Sequence, residues 1–417
     1  MAQDRKTLPT QGRSWESISA QMSALKEKDV DWRNGRAAVY VFNAGEDVLR
    51  VARDAYALFQ TENGLGPLAF PSLKAMEDEV IQMGLDLLHA PDEACGHMTS
   101  GGTESILLAV KTCRDQARAL RPEIERPNIV VPVSAHPAFD KACHYFGLEI
   151  RRTPLREDRR ANPEAMAEAI DADTLMLVGS APCFPYGLID PMEELSDLAL
   201  RTGLWLHVDA CVGAYFLPFA RMNGVEVPPF DFELPGVSSL SGDLHKYGYA
   251  SKGASTLYHR SPEQRSFQIF ASDAWPAGAM STPTIAGTRP GGAIASAWAV
   301  LEYLGESGYR RLARQVCEAR EALTEGIQAM DGLETYGEPN LSIMLFGGAE
   351  VDPYALYGRM LRRGWFSGLV TEPRAIHLML APSHAEVAPA YLSDLAECVR
   401  EVTSAAAPGE TRRVRYN

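Results

Sequence analysis

Residues 174–210, TLMLVGSAPCFPYGLIDPMEELSDLALRTGLWLHVDA, have the pattern of a strand, a helix and a second strand. The apolar runs at 174–181 and 204–210 have the length of buried strands, and residues 190–202 between them have helical spacing. Strands that are apolar on both faces and are separated by helices are typical of a parallel sheet covered on both sides. This stretch therefore predicts an α/β fold.

The same alternation continues to either side of that unit. Further strands are predicted at 129–134, 237–242 and 254–260, and further helices at 15–28, 46–60, 73–88, 103–120, 137–147 and 163–170. Beyond about residue 295 the pattern changes to a long helix, 297–330, and two strands, 341–348 and 375–382, between helices, with a basic end. We expect an α/β protein whose mostly parallel sheet lies in a large domain, followed by a smaller α+β C-terminal domain. The predicted divisions are an N-terminal segment, 1–60, the large domain, 61–295, and the small domain, 296–417.

Composition excludes several classes of protein. The 417 residues are 46% hydrophobic and carry 40 basic against 54 acidic side chains, a net charge of −14, which argues against a nucleic-acid surface. At roughly 150 residues per domain, this length predicts two or three domains. No apolar run approaches the ~20 residues that span a bilayer, and the first residues are polar, without a signal-peptide core. Seven scattered cysteines with no CxxC pair predict reduced thiols in a cytoplasmic enzyme, with no metal framework.

Two candidate features follow the pattern of sites at strand ends. TSGGTES, 99–105, opens a predicted helix, and its glycines and N-terminal N–H groups suit a phosphate, although an ordinary capped glycine loop is the alternative. Asp209 arrives at the carboxyl end of the 204–210 strand, where a carboxylate pairs with a metal, an arginine or a protonated ring nitrogen. His207 lies on the same face of that strand, but a metal site needs a third ligand nearby. A purely structural aspartate is the alternative.

Two further features are a lysine and a histidine. Lys246 lies in SLSGDLHKYGYASKG, 239–253, where a partly desolvated lysine can have its pKa lowered and act as a Schiff-base nucleophile; the alternative is a solvated loop lysine. His136 follows the 129–134 strand and could stack on an aromatic ligand or simply cap the next helix. Together, a phosphate loop, a stacking histidine, a strand-end acid and a lysine are what pyridoxal 5′-phosphate (PLP) requires.

Five segments carry a resemblance to a known family: MTSGGTESILLAVK (98–111), AHPAFDKACHYFG (135–147), HVDACVGA (207–214), DLHKYGYASKG (243–253) and STPTIAGTRPGG (281–292). On these the chain resembles sphingosine-1-phosphate lyase, within the group II PLP-dependent decarboxylase superfamily, from about residue 38 to about residue 309. The resemblance implies PLP-dependent transferase fold type I and a homodimer with shared active sites.

The resemblance also implies roles for individual residues. The cofactor-binding positions it gives are Gly102, Thr103, His136, Asp209, Cys211, His245, Lys246, Gly287 and Thr288. Lys246 would carry the cofactor, Asp209 would pair with its ring nitrogen, and His136 and Cys211 would lie on opposite faces of the ring. Lys246, His245 and His136 are the expected catalytic residues. Gly287 and Thr288 would reach the partner subunit's site. The residues expected on the substrate side are Tyr40, Lys252, Met280 and Arg289. The alternative role of Arg289 is to brace the phosphate loop.

The chain departs from the lyases at positions on the substrate side. Asn63–Gly64–Leu65–Gly66 replaces Asn-Pro-Leu-His, so a histidine linked with substrate phosphate is missing. Met280 replaces a tyrosine before Ala-Ser-Pro-Thr, and SAPCFPYG places Ala181, Cys183 and Tyr186 at altered positions. The cofactor positions are kept while the substrate side changes, which indicates the same class of chemistry on a different substrate, or an impaired enzyme.

The predicted function is a PLP-dependent carbon–carbon lyase. It would cleave the Cα–Cβ bond of a β-hydroxy amine, phosphorylated or not, to an aldehyde and a smaller amine through a Schiff base with Lys246. The alternative within the same class is amino-acid decarboxylation, which needs no base for a β-hydroxyl proton. Two other hypotheses are a cofactor-binding protein without turnover, which has no chemical need for Lys246 and Asp209, and an aminotransferase, for which Arg374 is the candidate carboxylate ligand.

Overall fold

The computed structural model describes residues 5–337 and 341–404. The predicted basic end of the chain, beyond residue 404, lies outside the described residues. Among the described helices, none combines the length and the apolar character needed to cross a membrane.

A seven-stranded sheet forms the centre of the molecule. Its strands are β1 (Cys95–Thr99), β2 (Asn128–Pro132), β3 (Glu149–Thr153), β4 (Thr174–Ser180), β5 (Trp205–Asp209), β6 (Val237–Gly242) and β7 (Ser255–His259). They lie in the order β1-β7-β6-β5-β4-β2-β3. The pairs from β6 to β3 are parallel, whereas β7 runs antiparallel to both β6 and β1. The predicted mostly parallel sheet is confirmed.

The central strands are apolar because both of their faces are covered. Every residue of β4 and β5 is buried. Along β4, Leu177 joins the larger core cluster, while Met176 and Val178 point to the opposite face and join a second cluster. Alternate side chains thus enter two cores, as a sheet with helices on both faces requires.

Twelve α-helices surround and extend the sheets in the described chain. They are α1 (Trp15–Lys26), α2 (Glu46–Leu58), α3 (Pro71–Leu87), α4 (Gly102–Leu120), α5 (Ala138–Phe146), α6 (Pro163–Glu168), α7 (Met192–Thr202), α8 (Leu217–Met222), α9 (Pro262–Ser266), α10 (Gly291–Gln328), α11 (Pro353–Arg362) and α12 (His384–Ser404). All the predicted helices are present, with their ends shifted by a few residues. The long one, α10, begins earlier than predicted and is interrupted at Gly305, where the backbone is not helical.

A second, antiparallel sheet forms the C-terminal part together with α11 and α12. Its strands are β10 (Glu334–Tyr336), β11 (Ile343–Gly347), β12 (Gly368–Thr371) and β13 (Arg374–Met379), in the order β10-β11-β13-β12. This is the α+β arrangement expected for the smaller domain. The predicted division at residues 295–296 falls inside α10, so that helix belongs to both parts.

The sequence analysis missed several strands. Two are the edges of the large sheet, β1 and β3, and the others are β10, β12 and a hairpin of β8 (Phe270–Ser272) and β9 (Met280–Thr282). Edge strands are half exposed and tolerate charge; β3, for example, contains Arg151 and Arg152. The apolar-run criterion finds only strands that are covered on both faces.

Candidate active site

A cavity of about 590 Å³ opens where β5 and β6 end. Seven residues predicted to bind the cofactor line it: Gly102, Thr103, His136, Asp209, Cys211, His245 and Lys246. They come from segments that lie far apart in the sequence. The fold brings them together because parallel strands deliver their carboxyl ends to one edge of the sheet, the position where α/β proteins bind ligands.

The loop before α4 is shaped by close packing around Gly102. A Cβ atom there would stand 2.7 Å from Cys211 Sγ and 2.9 Å from Asp243 Oδ2, so no other residue fits without displacing its neighbours. Glu104 fixes the loop from within the helix: one carboxylate oxygen accepts from the Ser100 N–H at 2.7 Å and the other from the Ile285 N–H at 2.9 Å. The first turn of α4 therefore presents its N–H groups to the cavity on a rigid loop.

Asp209 is buried at the end of β5, and its Oδ1 accepts from the Cys211 N–H at 3.1 Å. His207, two residues earlier, is bonded within the sheet, with its Nδ1 2.8 Å from Ser239 Oγ. It does not line the cavity beside Asp209. The arrangement leaves the carboxylate available for a cationic partner in the cavity rather than for a metal shared with His207.

His136 enters the cavity from the turn between β2 and α5. Its Nδ1 accepts the Ala138 N–H at 3.1 Å, so the neutral ring carries its proton on Nε2. Burial lowers the pKa of His136, although the negative charge of Asp209 acts to raise it. A neutral ring held in this way suits stacking on an aromatic ligand.

Lys246 forms an ion pair with a residue that the sequence analysis did not select. Its Nζ lies 3.0 Å from Oδ2 of Asp243, which is buried. Burial alone would lower the pKa of Lys246, but the carboxylate of Asp243, aided by Cys211 and Asp209, outweighs burial and raises it. The expected lowered lysine pKa is therefore wrong for this structure, because desolvation was considered without the ion-pair partner.

His245 and Lys252 extend the same turn. The Ala254 N–H donates to His245 Nδ1 at 3.3 Å, leaving the Nε2 proton facing Asp243 Oδ2 at 3.6 Å, and burial lowers the pKa of His245 to about 4. Lys252 lies outside the cavity lining, and its ammonium donates to the His245 carbonyl at 3.1 Å. Loss of surrounding water and the charge of Lys246 lower the pKa of Lys252 to about 8.

The remaining predicted residues lie outside this cavity in their own chain. Gly287 and Thr288 are in the loop between β9 and α10, where Thr288 is exposed. Tyr40 is 46% exposed, and Met280 begins β9. Their predicted contacts with the cofactor or substrate remain predictions. Because the loop is exposed, its position is compatible with a contact to a second subunit.

Arg289 has a structural partner. It forms a two-pronged ion pair with buried Glu77, at 2.6 and 2.9 Å, and donates to the Gly64 carbonyl at 2.8 Å. This geometry favours a bracing role over the substrate contact, since both arms of the guanidinium are already engaged, but the brace joins α3 and the Gly64 loop rather than the predicted phosphate loop. Arg374, the candidate for an aminotransferase, pairs with Asp352 at 2.7 Å and lies over the Tyr354 ring, away from the cavity.

The altered positions surround the cavity rather than line it. Cys183 is buried, and the Tyr186 hydroxyl donates to the Glu372 carbonyl at 3.0 Å, which ties this segment to the C-terminal part. The neighbouring Pro182 and Phe184 do line the cavity. Gly66 lies in the loop whose Gly64 carbonyl accepts from Arg289. The altered residues therefore lie outside the lining of the cavity within one chain.

The donor set fits PLP. A phosphate would find the α4 N-terminus, Thr103 and His245; a ring nitrogen would find Asp209; an aldehyde would find Lys246; and His136 offers a face for the ring. The residues missed by the sequence analysis are Asp243 and Glu104. Both lie inside quoted motifs, but nothing in the spacing tells which way their side chains point.

Fold and cavity together define a PLP-dependent enzyme of fold type I. Residues 1–347 match the pyridoxal-dependent decarboxylase conserved domain. The chain is 40% identical over 412 residues to a sphingosine-1-phosphate lyase of Oryza sativa subsp. japonica, covering 97% of this chain and 76% of that protein. It is 36% identical over 332 residues to a probable L-tyrosine/L-aspartate decarboxylase of Methanothermobacter thermautotrophicus, covering 80% and 89%.

A solved structure leads to the same family. The sphingosine-1-phosphate lyase of Burkholderia pseudomallei superimposes with a TM-score of 0.92 at 35% identity, covering 96% of this chain and 94% of that one. The chain belongs to the pyridoxal-dependent decarboxylase family and is a PLP-dependent lyase. The predicted fold, family, cofactor and enzyme class are confirmed.

Proposed function

We propose that this lyase cleaves the Cα–Cβ bond of a β-hydroxy amine, in the manner of a sphingosine-1-phosphate lyase. The observation that carries the proposal is the joint presence of Lys246, Asp209 and His136 in one cavity of a chain that is similar to such lyases over almost its whole length. The products would be an aldehyde and a smaller amine. Sphingoid bases, with or without a phosphate, are the first substrates to try.

Bound PLP supplies an electron sink for the pair left behind when a bond to the amine-bearing carbon breaks. The protein's part is to hold that sink in its active form. Asp209 would keep a proton on the ring nitrogen, and the N–H groups at Gly102 and Thr103, together with His245 Nε2, would hold the phosphate. His136 would offer a face for the ring, and Cys211 would lie on its other side.

The β-hydroxyl proton needs a base, and the hydrogen bonds indicate which residue it is. His136 and His245 each accept a backbone N–H at Nδ1, so in their neutral forms both present an Nε2 proton and no lone pair to the cavity. In this proposal Asp209 serves the ring nitrogen and Asp243 pairs with Lys246, so the neutral amine of Lys246, free of the cofactor, would be the base. We therefore assign proton removal to Lys246 and hydrogen-bond donation to the two histidines.

The anionic end of a phosphorylated substrate needs a cation near the cavity. We propose Lys252, which the family resemblance already placed on the substrate side and whose ammonium donates to the His245 carbonyl. Tyr40 and Met280 complete the substrate side in this proposal. We also propose a homodimer, in which Gly287 and Thr288 contact the partner subunit's cofactor, and a cytoplasmic location, which suits the seven unpaired cysteines.

Decarboxylation of an amino acid is the second candidate, favoured by the family model and by the similarity to the archaeal decarboxylase. A substrate panel separates the two. PLP-loaded protein is incubated with phosphorylated and unphosphorylated long-chain bases and with aromatic and acidic amino acids, and both aldehyde and carbon dioxide are measured. Aldehyde from the long-chain bases alone supports the proposal, whereas carbon dioxide from an amino acid without aldehyde replaces it with the second candidate.

In the lyase, Lys252→Met should raise KM for the phosphorylated base more than for the unphosphorylated one.

A further inference from the structure

Asp243 is the buried carboxylate closest to Lys246. It is 2% exposed, its Oδ2 lies 3.0 Å from Lys246 Nζ, and its Oδ1 is buried without a hydrogen-bond partner among the described residues. Both oxygens face the Cα of Gly102, where the missing side chain leaves them room. Burying a carboxylate with one unsatisfied oxygen costs free energy, and the ion pair with Lys246 offsets part of that cost. The Lys246 ammonium is therefore held close to Asp243.

The charges around Lys246 come from every side of the cavity. Asp243 precedes it on the same turn, and His245 and Lys252 flank it on its own loop. The charged and titratable groups on the other elements are Asp209 and Cys211 at the end of β5, His136 before α5, Lys141 on α5 and Glu104 on α4. Asp209 accepts the Cys211 N–H, and within the described part of the chain it forms no ion pair with a lysine. Asp243 is therefore the anion that decides the state of the lysine.

We propose that Asp243 is a positioning residue for Lys246: its carboxylate holds the lysine ammonium in the cavity and withholds the neutral amine until an aldehyde is bound. Attachment of the aldehyde forms a carbon–nitrogen double bond, releases the aldehyde oxygen as water, and requires the ammonium to lose one proton to solvent. The role deepens the proposed function and rests on it for its purpose, but the ion pair can be tested without any substrate.

The experiment is competitive trace labelling of lysines with acetic anhydride across a pH series, in the cofactor-free protein, with the Lys246 peptide quantified by mass spectrometry. In the wild type, Lys246 should titrate above the ordinary lysine pKa of about 10.4. In Asp243→Asn, the ion-pair partner is gone and only Cys211 and Asp209, which is not within ion-pair distance, still oppose burial, so labelling of Lys246 near neutral pH should rise at least tenfold, a shift of one pH unit or more. Asp243→Ser should behave in the same way. Asp140→Asn, which removes a carboxylate outside the cavity lining, should leave Lys246 unchanged.

A parallel readout is the pH dependence of covalent PLP capture, which should move to lower pH in Asp243→Asn. The proposal is overturned if a folded Asp243→Asn labels Lys246 within twofold of the wild type. Should neither variant fold, the wild type decides alone, because titration of Lys246 at or below the ordinary lysine value also overturns it. Failure of every substrate in the turnover panel with normal labelling would contradict the proposed function and leave this role intact.

Discussion

Lys246 is the residue on which the chemistry depends. Its replacement by alanine removes the lysine amine at the end of the Asp243 turn, which is placed to bond to the cofactor aldehyde, while the phosphate loop and Asp209 remain to hold PLP without a bond. We expect Lys246→Ala to bind PLP more weakly and to lose turnover entirely. Borohydride reduction followed by peptide mass analysis should find the cofactor on the Lys246 peptide of the wild type alone; a modified lysine elsewhere would contradict this assignment.

Asp209 provides charge to the ring rather than a contact to the substrate. Asp209→Asn keeps the shape but removes the charge that holds the ring nitrogen protonated, so we expect kcat to fall about 10²–10³-fold with a small change in KM. Steady-state kinetics measure both. Asp158→Asn, which removes a surface carboxylate paired with Arg160, serves as the control and should be neutral. Equal loss in the two variants would show that the effect is not local to the ring.

Residue types could be predicted from the sequence, but orientations could not. The 99–105 loop, His136, Asp209 and Lys246 could be selected because each lies near the end of a predicted strand or the start of a helix, whereas Cys211 and His245 were implied only by the family resemblance. Asp243 was missed because an aspartate in a turn is usually a capping residue. Arg289 was given two roles, and only the position of Glu77, 212 residues away in the chain, favours one of them.

At the scale of elements, the ion pair of Glu77 and Arg289 anchors the loop before α10 to α3. Both side chains are largely buried, and removal of one partner leaves the other as an unpaired charge. We expect Glu77→Ala to lower the free energy of unfolding by about 3–5 kcal/mol. Asp78→Ala, on the next residue, removes an exposed pair with Lys74 and should cost about 0–1 kcal/mol. Urea unfolding of both variants measures the difference, and similar losses would refute the anchor.

The same scale shows where the sequence analysis succeeds. Strands β4 and β5 are buried and were located to within two residues, because burial on both faces favours unbroken apolar runs. The edge strands β1 and β3 are only partly buried and therefore need no unbroken apolar run. Their pairing depends on which neighbour supplies the hydrogen bonds, and this is decided by the order of the strands in space.

At the scale of the whole molecule, burial holds several histidines in the neutral form. Burial lowers the pKa of His97, His207, His245, His377 and His384 to about 4 and that of His259 to about 3. The unfolded chain, with histidines near 6.5, binds more protons than the folded chain between those values, so stability is greatest above pH 6.5 and falls as the pH drops towards 4. The urea midpoint, followed over that range, should decline steadily. A constant midpoint would contradict the buried, neutral state of these rings.

The most direct test of the lyase assignment is a product balance. PLP-loaded wild type is incubated with dihydrosphingosine phosphate, and mass spectrometry measures the long-chain aldehyde and phosphoethanolamine. We predict that both form in equal amounts, without carbon dioxide, and that neither forms with Lys246→Ala. Substrate that remains intact in visibly cofactor-loaded wild-type protein would contradict Cα–Cβ cleavage of a phosphorylated sphingoid base.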